Sequence, residues 1–165
     1  MRKLGISVFL ILSAVSSPAL AEWTFRSPQA SDDRGSAFVR NAQGQIFDVG
    51  CGNDGEISLD LRPGFAIPSE QHEIVAIFPG ERGMISLPLE CADWGCSSGS
   101  RYSNGQNWTT QMRAHLVTVL RRAPNFEVKV WRADGKMMEV ASFTLKGSSA
   151  ALSRLKESAT GCAGL

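Results

Sequence analysis

The chain has no surplus of charge of either sign: 17 lysines and arginines stand against 16 aspartates and glutamates in 165 residues. That balance leaves no basic field for nucleic acid or anionic lipid. Beyond residue 22 there is no long apolar run, which excludes a helical membrane span in the body of the chain. Internal repeats and domain linkers are missing too, so a single domain is expected. No glycine-rich phosphate cradle is present, because the run Gly50-Cys51-Gly52-Asn53-Asp54-Gly55 joins two predicted strands and opens no helix. Histidine is scarce, with only His72 and His115. Neither sits in a ligand or orienting motif, so both are read as surface residues.

What is present begins with a leader. Arg2 and Lys3 supply a positive start, Leu4 to Val15 an apolar run, and Ala19-Leu20-Ala21 a small-x-small cleavage site. Residues 1–21 are therefore expected to be a cleaved signal peptide, and 22–165 a single exported domain in the periplasm or outside the cell. No cysteine follows the apolar run, so a lipid anchor is not expected. Taking Arg2 and Lys3 from the 17 basic residues leaves 15 against 16 acidic ones, a net charge of −1. The remaining chain can bury roughly two thirds of its unfolded surface, enough for one core.

All four cysteines, Cys51, Cys91, Cys96 and Cys162, lie in the exported part. In an oxidising compartment an even count reads as two disulfides, with three connectivities open. Zinc is disfavoured by the four residues between Cys91 and Cys96, and a redox pair would want two. No metal and no cofactor is expected.

The strands are legible from alternation and turns. Glu22 to Arg26 reads as an edge strand with Trp23 and Phe25. Ser36 to Asn41 and Ile46 to Cys51 make a hairpin across Asn41-Ala42-Gln43-Gly44. Glu56 to Leu61 alternates strictly, with Ile57, Leu59 and Leu61 facing inward. His72 to Phe78 and Met84 to Leu89 follow, then a long polar stretch, Cys91 to Trp108, read as the largest loop. Thr110 to Ala123 fits a helical stripe of Met112, Leu116, Val119, Leu120 and Ala123, although part of it also fits a period of two. Helix is preferred because Thr109 or Thr110 can cap it, Arg121 and Arg122 suit its end, and Pro124 stops it. Phe126 to Arg132 and Lys136 to Leu145 form a second hairpin across Ala133-Asp134-Gly135. Met138, Val140, Phe143 and Leu145 supply the apolar contacts of its second strand. Gly147 then turns the chain, and Ser148 or Ser149 can accept the free amides of a last helix carrying Ala150, Ala151, Leu152, Leu155 and Ala159. The expectation is a mainly β protein, an antiparallel β-sandwich of about eight strands with two short helices, one of them C-terminal.

Three features in order, the C-x-x-x-G-C motif at Cys91 to Cys96, an amphipathic segment leading into FEVKVW, and L-x-G-S-S-A-A-L-x-x-L at Leu145 to Leu155, resemble the invasion-associated locus B family of exported proteobacterial proteins. That family commonly has Gly-Phe after its last strand, where this chain has Gly147-Ser148. The resemblance implies a β-sandwich in the cell envelope without a known catalytic activity. It also implies that Cys91 pairs with Cys96 and Cys51 with Cys162. The long-range bridge would close a loop of about 112 residues and stabilise by roughly 4 to 5 kcal/mol, the local one by roughly 2.

The clustered serines Ser97, Ser98, Ser100, Ser148 and Ser149 are assigned no catalytic role, for want of an accompanying base. Sequence neighbours among the 16 acids carry almost no information about a carboxylate pair. The stretch Trp94 to Trp108 is the candidate binding element. Trp94, Tyr102 and Trp108 are flat anchors, and Arg101 with nearby Ser, Gly and Asn can hydrogen-bond a polar partner. The expected function is therefore non-catalytic: a monomeric, disulfide-stapled exported protein that binds an envelope or host protein. The alternative is a periplasmic glycan-binding protein, hydrolase or hydrolase inhibitor that uses the same loop.

Overall fold

A computed structural model describes residues 21–29, 35–51, 57–62, 71–77, 84–92, 95–97, 110–131, 135–158, 162 and 165. Within them lie β1 (Thr24–Arg26), β2 (Ser36–Arg40), β3 (Ile46–Cys51), β4 (Ile57–Arg62), β5 (Gln71–Ile77), β6 (Met84–Ala92) and β7 (Gly95–Ser97). The helix α1 (Thr110–Arg122), β8 (Asn125–Trp131), β9 (Met137–Thr144) and α2 (Ser148–Ser158) complete the order. The side chains of β5, β6 and residues 110–114 and 138–140 lie outside the described set, Met138 and Val140 among them.

Hydrogen bonding joins all nine strands in the order β1-β2-β3-β4-β7-β6-β5-β8-β9, every pair antiparallel. The mainly antiparallel β character and the two helices are as expected from the sequence. An eight-stranded sandwich is not confirmed, because the pairing is continuous through nine strands. The extra strand is β7, inside the stretch read as a loop. Its three residues slot between β4 and β6, pairing Leu61 with Cys96 and Cys91 with Cys96. Gly95 makes this possible: its φ is +139°, and a Cβ there would collide with the Leu61 carbonyl oxygen. Gly95→Ala should therefore lower stability by about 2 kcal/mol or more. A melting temperature within a degree of the parent would show that β7 is not held this closely.

The sheet curls until its ends face each other. Phe47 on β3 meets Phe126 on β8 at 4.8 Å between ring centroids and Phe143 on β9 at 5.9 Å, although these strands are far apart in the ladder. Trp23 closes the seam. Its backbone N–H donates to the Lys146 carbonyl at 3.0 Å and its indole Nε1 to the Thr144 carbonyl at 2.9 Å. Alternation explains which residues line the interior: Ile57, Leu59 and Leu61 on β4, Phe126, Val128 and Val130 on β8, and Ala141 and Phe143 on β9 are all buried. Each large apolar side chain so placed stabilises by about 1.5 to 3 kcal/mol.

The helices pack on this body by their apolar faces. In α1, Leu116, Val117, Val119 and Leu120 are buried and His115 is exposed, so the helical period wins over the period of two. In α2 the buried set is Ser148, Ala151, Leu152 and Leu155, one face at spacings of three and four. Ala150, expected in that stripe, is exposed because at about 100° per residue it falls on the side of the helix away from the face shared by Ala151, Leu152 and Leu155. Ser148 also departs from expectation. Its hydroxyl does not cap α2; it donates to the Leu120 carbonyl near the end of α1, tying the two helices together. Arg154 of α2 covers the ring of Phe25 on β1, with its guanidinium carbon 4.8 Å from the centroid.

Candidate functional site

The described residues hold two chemically distinct features, a covalent tie and a charged cluster. Cys51, the last residue of β3, is bonded to Cys162 just beyond α2, with their Cα atoms 5.8 Å apart at a sequence separation of 111. This is the long-range pair that the family resemblance implied. Cys96 is disulfide-bonded as well and fully buried, and the residue opposite it across the β6–β7 hairpin is Cys91. Among the described residues no cysteine is free. Nor does any group of three or more His, Cys, Asp or Glu side chains among them come close enough to hold a metal ion.

The cluster lies on the opposite face of β1 to β4 from the core. Alternation places Asp48 there because Phe47 and Val49, its neighbours, point inward. Ser36 Oγ donates to Asp48 Oδ2 at 3.2 Å, and Arg62 Nη2 donates to the same oxygen at 3.0 Å. Arg26 Nε in turn donates to Ser36 Oγ at 3.3 Å. One residue from each of four successive strands is thus linked: Arg26, Ser36, Asp48 and Arg62. The register adds Asp60 directly opposite Asp48. The Asp48 side chain is only 7% exposed, and its Oδ1 has no hydrogen-bond partner.

Burial dominates the electrostatics of Asp48 and pushes its carboxyl above the ordinary value of 3.8; Asp60 pushes the same way, while Ser36, Arg62 and Arg26 oppose. A folded value above the unfolded one means that the native state binds the proton more tightly. The associated stability is complete below about pH 3.8 and is lost as pH rises through the folded value. Asp48→Asn removes this dependence while keeping an acceptor for Ser36. Its urea midpoint should fall less than that of the parent as pH rises above 3.8. At neutral pH the two should differ by no more than about 1 kcal/mol. Parallel midpoint curves for the two proteins would show that Asp48 does not titrate differently on folding.

This cluster was not singled out from the sequence. An aspartate inside an otherwise apolar strand, IFDVGC, was the available signal, since Asp is depleted in strands unless something pairs with it. What Ser36 does chemically follows from its partners: its proton points at a carboxylate and its lone pair receives Arg26, so it is a link in a structural network.

Two serine patterns, passed over in assigning the clustered serines no role, can be placed. Gly95-Cys96-Ser97-Ser98-Gly99 has the spacing G-x-S-x-G, which in a nucleophile elbow sits on a sharp strand-to-helix turn. Here Ser97 lies inside a ladder, opposite Asp60 on one side and Glu90 on the other. Ser153-Arg154-Leu155-Lys156 has the spacing S-x-x-K, but Ser153 is half-buried in the interior of α2, Lys156 is exposed, and the chain has neither S-D-N nor K-T-G. Neither pattern has the setting its chemistry needs.

Of the residues singled out for binding, Trp94, Arg101, Tyr102 and Trp108 lie outside the described residues, so the structure does not bring them together or separate them. His72 lies in β5 by its backbone. Trp23 and Trp131, read as strand packing residues, are buried and half-buried. Among the described residues no helix is long and apolar enough to cross a membrane. No protein-family model, curated protein or solved structure matches the chain.

Proposed function

We propose that this chain is an exported, disulfide-stapled β protein that acts by binding another molecule and not by catalysis. The observation that carries the proposal is the Cys51–Cys162 bond. A bond of this kind persists in oxidising compartments and is rare in a reducing cytosol. The leader-like residues 1–21 favour the same compartment. Support for a binding role comes from the composition of Trp94 to Trp108, in which aromatic anchors alternate with small polar residues. The curled sheet then serves as a rigid two-faced body, sandwich-like in packing, that carries the binding loop. Kinship with the invasion-associated locus B family belongs to this proposal and rests on the C-x-x-x-G-C and L-x-G-S-S-A-A-L motifs alone.

The test is expression of the full-length chain in a Gram-negative host, followed by fractionation and intact mass. The expected product is periplasmic or in the medium, begins at Glu22, and loses two disulfides on reduction. A cytoplasmic product that retains residues 1–21 and carries free thiols would overturn the proposal.

A further inference from the structure

The residues on either side of the expected cleavage site also form the seam of the curled sheet. Ala21 packs half-buried against the core. Glu22 is exposed, and its side chain runs along Gly147, whose missing side chain leaves it room: a Cβ there would come within 3.0 Å of Glu22 Cγ. Trp23 is 5% exposed, and both its backbone N–H and its indole N–H are committed to carbonyls at the β9–α2 corner. Ala21 on one side of the Ala21–Glu22 bond is thus packed on the core, and Trp23, just beyond its other side, is bonded to the far end of the chain.

We propose that folding pins the backbone beside the Ala21–Glu22 bond, so that the leader is removed only while this seam is open; this rests on the export reading above. Hydrolysis there adds water across one amide. The Ala21 carbonyl carbon takes the hydroxyl, the C–N bond breaks, and the Glu22 nitrogen leaves as an amine that is protonated in water. A peptidase must draw the residues flanking that bond into an extended conformation in its cleft, and a backbone already bonded to another strand is not available to it. Cleavage of the native chain therefore proceeds through a transiently opened state and scales with the population of that state. Opening the seam exposes Trp23 and leaves the Thr144 and Lys146 carbonyls without their donors, so the open population is small. Order follows from this: leader removal comes first, then docking of residues 21–23 against Thr144 to Gly147. A chain that closes first keeps its leader.

The experiment compares one full-length precursor in two states, with a bacterial signal peptidase in detergent micelles. One sample is folded, with the Cys51–Cys162 bond verified by peptide mapping; the other is diluted from denaturant directly into the peptidase. Initial rates of appearance of a product starting at Glu22 are read by mass spectrometry. The expected result is rapid cleavage of the freshly diluted chain and cleavage at least tenfold slower for the folded one. A folded Trp23→Phe precursor, which keeps the ring but loses the bond to Thr144, should be cut faster than the folded parent. Equal rates for the two states of the parent would overturn the inference while leaving the export reading intact. Failure to cut the freshly diluted chain at this bond would overturn both.

Discussion

Replacing Cys51 and Cys162 by alanine is expected to destabilise the protein by roughly 4 to 5 kcal/mol, the largest effect of any change considered. The magnitude follows from the sequence separation of 111 between the two cysteines, because closing so long a loop removes much of the freedom of the unfolded chain. A domain of this size has a net stability of about 5 to 15 kcal/mol, so loss of the tie would remove a large share of it. The bond joins the end of β3 to the segment after α2, and unlike the seam at Trp23 and the Arg154–Phe25 contact it is covalent. Urea unfolding of the double variant against the oxidised parent gives the difference directly. A loss under about 1 kcal/mol would mean that the unfolded chain is already compact near these cysteines and the entropic account does not apply.

The second large effect is expected at Trp23. Trp23→Ala should cost about 3 to 5 kcal/mol, through lost burial and the cavity left beside Phe47. The indole meets the Phe47 ring edge-on, with centroids 6.1 Å apart, and Phe47 in turn touches Phe126 and Phe143. Removing the indole therefore opens the aromatic cluster at the point where strands from the two ends of the sheet meet. Trp23→Phe separates two contributions: it retains much of the ring volume and leaves the Thr144 carbonyl without its donor, for an expected loss of about 1 to 2 kcal/mol. Denaturation midpoints of both variants provide the check. If Ala and Phe cost the same, the hydrogen bond and not the packing holds the seam. If neither costs more than about 0.5 kcal/mol, β1 does not close the sheet in solution.

The elements that local pattern could specify are the ones legible in the chain. Ile57, Leu59 and Leu61 announce a half-buried strand because alternate side chains point to the same face. The β2–β3 hairpin follows from Asn41, whose side-chain oxygen accepts from the Gln43 and Gln45 amides and holds the turn. Helix α1 follows from Leu116, Val119 and Leu120 and from Pro124 beyond it, and α2 from Ala151, Leu152 and Leu155. Each depends on residues within a few positions of one another, so periodicity and turn chemistry suffice. The candidate site was less legible: the cysteines stood out by residue type, whereas the charged cluster did not.

Tertiary structure decided where contacts are distant in sequence. Arg26, Ser36, Asp48 and Arg62 become one network only once four strands are in register; Asp48 inside IFDVGC signals that a partner is needed, but nothing local names which one. Ser148 looked like a helix cap, yet its hydroxyl was taken by the Leu120 carbonyl of another helix. Strand β7 is three residues long, too short to show a period, and exists because Gly95 lets it approach Leu61. The sequence by itself determined the alternating strands, two hairpins and two helices, since those are set by short-range sterics and the burial of alternate side chains. Curling of the sheet, its closure by Trp23, and the burial of Asp48 belong to the tertiary structure, because each depends on which distant carbonyl, ring or charge arrives within a few ångströms.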